Sequence, residues 1–237
     1  MSGAHIIRAI APFTDRSGSE PGARTGRAAW PAIGSAAAFT AMAVVSRQAM
    51  NGSLGRLDQT VMAALRARRH PAPVVASARA VSALAEPAVV AALLTTGFLS
   101  ARRQAGWGAA AATGLTIASG AAARRILSEA IARPRPPARG WLTKPEGFSL
   151  PSKHATLTGL AVGAWLRRGG AGGPAKDLQS LGAVAAMGAS RIYLGVHWPT
   201  DILAAWLYAE GWLRLAELFG AGTRGGSSRS PGTAGLA

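Results

Sequence analysis

The sequence predicts an all-α protein, a polytopic membrane bundle of about six helices, and three observations carry that expectation. Ala28 to Ser46 runs 19 residues without a charge and Gln104 to Ala123 runs 20, each close to the length that spans a ~30 Å hydrocarbon core. Shorter uncharged runs recur further on, over Pro87 to Ala101, His154 to Leu166 and Leu178 to Ser190. Finally, hydrophobicity nowhere alternates for long enough to suggest a sheet, and there is no internal repeat.

Taken in order, the elements begin with residues 1–27, where Arg8, Asp15, Arg16, Glu20, Arg24 and Arg27 stand among Ser, Gly and Pro. With no apolar run long enough for a secretory segment, this reads as a disordered, basic cytoplasmic tail. Residues 28–219 read as one integral-membrane domain. Within it, Leu57 to Ala78 sets Leu57, Val61, Ala64 and Leu65 at helical intervals among Arg66, Arg68 and Arg69, as an amphipathic helix in the interface plane would. The last span starts near Pro199 and reaches Leu213, with Glu210 inside it, an acid that only protein packing can shield there. Residues 220–237, rich in Gly and Ser, read as a second disordered tail.

Composition removes several chemistries. The 237 residues contain no cysteine, which excludes disulfides, thiolate metal sites and a cysteine nucleophile. Lys plus Arg number 26 against 10 Asp plus Glu, a net charge of +16, and this suits an anionic partner. With the amino terminus inside, six spans place Arg102-Arg103 and Arg167 to Lys176 on the inner side with both tails, as the positive-inside tendency asks. They place residues 47–86, 124–153 and 191–201 together on the outer side.

Three polar islands interrupt the apolar runs on that outer side. Ala132-Arg133-Pro134-Arg135-Pro136-Pro137 ends a helix and presents two guanidinium forks suited to phosphate oxygens. Pro151-Ser152-Lys153-His154 opens the next helix with a hydroxyl, an ammonium, an imidazole and the free amides of a helix start, the parts of an anion site. In Ser190-Arg191-Ile192-Tyr193-Leu194-Gly195-Val196-His197-Trp198-Pro199-Thr200-Asp201, Asp201 follows His197 by four residues, close enough to meet it across one turn. Of four histidines, His154 and His197 fall in these islands, whereas His5 and His70 read as surface residues.

These residues resemble the motifs of the phosphatidic acid phosphatase type 2 (PAP2) superfamily, which shares its active site with vanadium haloperoxidases. That pattern is Lys-x6-Arg-Pro, Pro-Ser-Gly-His and Ser-Arg-x5-His-x3-Asp. The third element matches from Ser190 to Asp201, the second at three of four positions, and the first as Arg135-Pro136 with Ser128 at the Lys position. The resemblance spans Leu57 to Leu213 and implies the membrane lipid-phosphatase branch. It implies His197 as nucleophile, Asp201 holding its ring, and His154 as general acid and then base. It implies that Arg135, Ser152, Arg191 and the amide at position 153 hold the phosphoryl oxygens, with no cofactor and no metal; Lys153, where that pattern has Gly, adds an ammonium at the same place as a further candidate phosphate contact. The alternative of a metal held by His154, His197 and Asp201 is disfavoured by the cations crowding the same place.

The expected activity is hydrolysis of a lipid phosphate or polyprenyl diphosphate through a phosphohistidine. The alternative is a catalytically weakened membrane protein of the same fold that binds phospholipid or polyprenyl phosphate. The expected partners are an amphiphilic lipid-phosphate substrate and membrane lipids, with no nucleic acid. The expected location is a bacterial cell membrane with the active site on the extracytoplasmic face, and Trp141 and Trp198 suit headgroup level. Ser128 cannot supply the charge of the family's lysine, for which Lys153, and after it Arg125, are the candidate replacements.

Overall fold

A computed structural model describes residues 21–167 and 172–224 of the chain. Among the described residues there are seven α-helices and one short 3-10 turn: α1 Pro21–Asn51, α2 Ser53–Arg66, α3 Ala72–Ala83, α4 Pro87–Ile131, the turn Ala138–Gly140, α5 Lys153–Leu166, α6 Pro174–Tyr193 and α7 Pro199–Arg224. No strand occurs among them, and the all-α fold is the expected one. Helix α1 starts seven residues before the anticipated boundary at Ala28, and α7 continues past Leu213 to Arg224. What remains of the two expected tails, residues 1–20 and 225–237, lies outside the described residues.

Ala29–Asn51 is long and apolar enough to cross a membrane. Helix α7 is central: it packs on α1, α5, α6, α4 and α2. Its inward face supplies Ala204 and Tyr208 to a cluster with Met42 and Leu150, and Ala209 and Leu213 to a second with Ile117 and Leu160. Close approach of α5 to α7 depends on small residues, because a methyl group on Gly159 would lie 2.8 Å from the Ala209 methyl carbon. Glu210 is buried and shielded by packing: Arg167, at the C-terminus of α5, binds Glu210, Asp177 and Glu217 together.

The single helical stretch α4 replaces two expected helices joined at Arg102-Arg103. A straight helix of 45 residues would be about 68 Å long. Yet Glu86, immediately before α4, and Arg135, four residues beyond its last residue, line one cavity of about 280 Å³. The axis of α4 must therefore double back within the stretch. Residues of 79–86, 135–154 and 191–194 thus meet at one cavity. Segment 57–78 forms two helices rather than one. On α2 the buried residues are Asp58 and Met62, while Leu57 of the anticipated apolar stripe is exposed.

Candidate active site

Helix α4 stops at Ala132, whose φ of 50° is left-handed, and the prolines of Arg133-Pro134-Arg135-Pro136 prevent its resumption. The chain then runs beside residues 147–149, where the Ser149 amide donates to Arg133 O at 3.0 Å. Two indoles brace it: Trp198 Nε1 donates to Pro134 O and Trp141 Nε1 to Pro136 O, both at 2.9 Å.

Arg135 is held by all five of its N–H donors. They meet the carbonyls of Glu146, Gly147, Phe148 and Val196 at 2.7 to 2.9 Å and His197 Nε2 at 3.0 Å, which completes the capacity of a guanidinium. Burial pulls its pKa down to about 10, against the opposing pull of the Asp201 carboxylate, so it is cationic at neutral pH.

His197 is 1% exposed. Its Nδ1 faces Asp201 Oδ2 at 3.2 Å, and the same oxygen accepts the Trp198 amide at 2.9 Å. A carboxylate can only accept and a guanidinium can only donate, so the ring between them is fixed as the Nδ1–H tautomer with its lone pair on Nε2. Burial lowers the His197 pKa to about 4 despite the hydrogen bond and charge of Asp201, with Arg135 and Arg191 lowering it further. The ring is neutral at pH 7 and carries a nucleophilic nitrogen.

His154 stands in the first turn of α5, buried, with Nε2 3.2 Å from Glu86 Oε1. Arg191, in the last turn of α6, donates to Ser82 Oγ. Arg135, Arg191, Lys153 and His154 line the cavity together with Arg79, Lys144, Glu86 and Glu146. Cations outnumber acids there, as an anion site requires.

Residues 108–220 match the family model described as the PAP2 superfamily. The chain carries a PAP2 domain. Among solved structures, the first transmembrane PAP2 type phosphatidylglycerolphosphate phosphatase from Bacillus subtilis is similar at a TM-score of 0.63 and 19% identity, over 82% of this chain and 98% of that one. This second likeness is one of fold. Among curated proteins none matches.

The PAP2 motif residues of this chain converge as their order along the sequence implies. His197, Asp201 and Arg135 touch in sequence, and His154, Lys153 and Arg191 face the same cavity. Ser152 caps α5 with a buried hydroxyl that has no partner. Lys153 lies 3.9 Å from Glu146 Oε2 and is one-third exposed. Ser128, at the PAP2 lysine position, is buried and its hydroxyl is unpartnered. Arg125 does not stand in for the lysine: it pairs with Glu129 on the surface, its side chain 81% exposed.

Sequence reasoning missed four residues of this site. Arg79 and Ser82 of α3 and Glu86 lie far from the motifs in sequence and arrive through tertiary packing. Asp58 had one signal: it is the lone acid between residues 28 and 85, in a segment otherwise basic. His70, read as a surface residue, packs edge-on to Tyr193 at 5.2 Å.

Proposed function

We propose that this protein is a membrane lipid phosphatase that works through a phosphohistidine on His197. The observation that carries the reading is the chain of contacts Arg135 to His197 to Asp201, which leaves a buried, neutral imidazole with its free nitrogen directed at a cation. The Nε2 lone pair forms the N–P bond while the bond from phosphorus to the leaving oxygen breaks. His154 gives that oxygen its proton, then takes one from the water that attacks phosphorus, and the N–P electron pair returns to Nε2.

Arg135, Arg191, Lys153 and the helix start at Ser152 hold the phosphoryl oxygens and stabilise charge in the transition state. Arg135 Nη1 occupies the lone pair of the nucleophile in this structure, so the phosphoryl oxygens must draw that donor away as substrate enters. The chemistry needs no metal, because both oxygens of Asp201 are already engaged by His197, Trp198 and Arg133 and cations surround the histidines.

The substrate class is an amphiphile with a terminal phosphate or diphosphate, reached from the membrane with the site on the extracytoplasmic face of a bacterial cell membrane. Phosphatidate, phosphatidylglycerophosphate and polyprenyl diphosphate all fit. The test is phosphate release by detergent-purified protein in excess EDTA across those three lipids, with His197→Ala as the paired control. Release that survives EDTA and vanishes in the variant is the expected result. Binding of the lipids without release from any of them would favour the weakened binding protein, for which Ser128 at the lysine position is the specific observation.

A further inference from the structure

Behind the dyad of His197 and Asp201 lies a second acid that no motif includes. Asp58, on α2, is fully buried, as is Asp201. Arg133 bridges them: Nη1 donates to Asp201 Oδ1 at 2.6 Å and Nη2 to Asp58 Oδ2 at 2.7 Å. Its remaining contacts are Thr200 Oγ1 at 2.8 Å and Ala49 O at 3.2 Å. Asp58 in turn accepts the Thr200 amide at 3.0 Å and the Thr200 hydroxyl, so it also ties down the first turn of α7, which carries Asp201. Ser149 Oγ stands 3.4 Å from Asp201 Oδ1.

Burying three charges is costly unless each does something the apolar alternative cannot. Here the sum is informative. Arg133 pressed against Asp201 alone would cancel the carboxylate that the histidine needs when its ring becomes cationic on forming an N–P bond. With Asp58 on its other side, Arg133 is shared, and the trio keeps one net negative charge. The other charges facing His197 are all positive: Arg135 from the segment after α4 and Arg191 from α6. Without a net anion behind the ring, its cation would be surrounded by cations.

We propose that Asp58 is a positioning residue that sets the charge behind the His197–Asp201 dyad: by occupying half of Arg133, it leaves one net negative charge facing the ring. This rests on the reading of His197 as nucleophile. Asp58→Asn leaves Arg133 wholly to Asp201, whereas adding Arg133→Gln removes the surplus cation and restores one net negative charge.

The experiment compares turnover and rapid-quench trapping of acid-labile, alkali-stable protein phosphate in wild type, Asp58→Asn, Asp201→Asn and Asp58→Asn/Arg133→Gln, with thermal unfolding of each in detergent. The expected order has Asp58→Asn slowed at least about tenfold, as loss of one oriented electrostatic contribution does, and the double variant faster than Asp58→Asn. If Asp58 only braced the fold, the double variant would be slower than the single, and that order overturns the proposal. Should Asp58→Asn not fold, the double variant decides alone. Turnover within about tenfold of wild type supports charge setting, whereas turnover as low as Asp201→Asn, or failure to fold, overturns it. Phosphate release by wild type without any trapped protein phosphate would instead sink the nucleophile reading, while the order of turnovers still judges Asp58.

Discussion

Arg135 Nη1 lies 3.0 Å from His197 Nε2, so the guanidinium caps the ring nitrogen that Asp201 leaves unprotonated. The same guanidinium gives its other four N–H groups to main-chain carbonyls at 146, 147, 148 and 196. No lysine can reproduce that arrangement, because an ammonium has three donors from one atom and lacks the planar fork. Arg135→Lys should lower kcat by about 10²–10³, the usual cost of one transition-state donor, and should also loosen the 146–148 loop. Steady-state phosphate release gives the first number, and limited proteolysis near Gly147 reads the second. Turnover equal to wild type would mean Arg135 is a loop anchor only.

The protonation state of His197 follows from its burial. Its pKa is lowered to about 4, below the ordinary imidazole value of 6.5, so between those values the folded ring stays neutral where the unfolded one takes a proton. The unfolded state then binds more protons, and stability declines as pH falls from about 6.5 toward 4. With ¹⁵N-histidine labelling and His197→Gln to assign the signal, the His197 ring should show the neutral Nδ1–H tautomer at pH about 6, unlike a free histidine. A half-protonated ring there would contradict the geometry.

Much of this site was legible because its chemistry comes in short segments at fixed spacing. His197 and Asp201 are one helical turn apart, and the structure joins them across that turn. The two arginines of Arg133-Pro134-Arg135 were read alike, as forks for phosphate, and they differ. A residue before proline is held in extended or polyproline backbone, with three residues per turn, so side chains two apart diverge: Arg135 faces the cavity and Arg133 the buried acids. Asp58 and Glu86 were not legible as site residues. Their partners lie 142 and 68 positions away, and periodicity within a helix carries no information about such contacts.

Lys153 stands where the PAP2 pattern has glycine, lines the cavity, and is one-third exposed with only a distant acid, Glu146 at 3.9 Å, beside it. An ammonium so placed can supply the charge that Ser128 lacks. Lys153→Ala should raise KM for a phosphate substrate by roughly tenfold or more, since a charge-assisted hydrogen bond contributes about 1.5–3 kcal/mol, while thermal stability changes little. The same variant should weaken competitive inhibition by inorganic phosphate. If neither KM nor phosphate inhibition moves, Lys153 points to solvent and the missing charge is not replaced from that position.

The final prediction concerns the turn that carries His197. Gly195 has φ 77°, a left-handed conformation that side chains disfavour. A methyl group there would also sit 2.0 Å from Gly140 O, a backbone atom that cannot swing aside. This close approach is part of a wider seam: the Leu142 amide donates to Leu194 O at 2.9 Å, and Leu194 and Val196 are fully buried against Trp141 and Leu142. The seam fixes Val196 O, which holds Arg135 Nη1 at 2.7 Å, and through it the distance from Arg135 to His197. Gly195→Ala should therefore do two things at once. It should destabilise the protein by the strain of the left-handed residue, about 1–3 kcal/mol, plus the cost of opening the seam. It should also lower kcat at temperatures where the variant is still folded, because the segment 194–197 must move away from 140–142 and take the Val196 carbonyl with it. Thermal unfolding in detergent and turnover measured well below the midpoint separate the two effects. A variant that melts early yet turns over normally when folded would show that the seam supports the fold without setting the reach of Arg135 to the histidine.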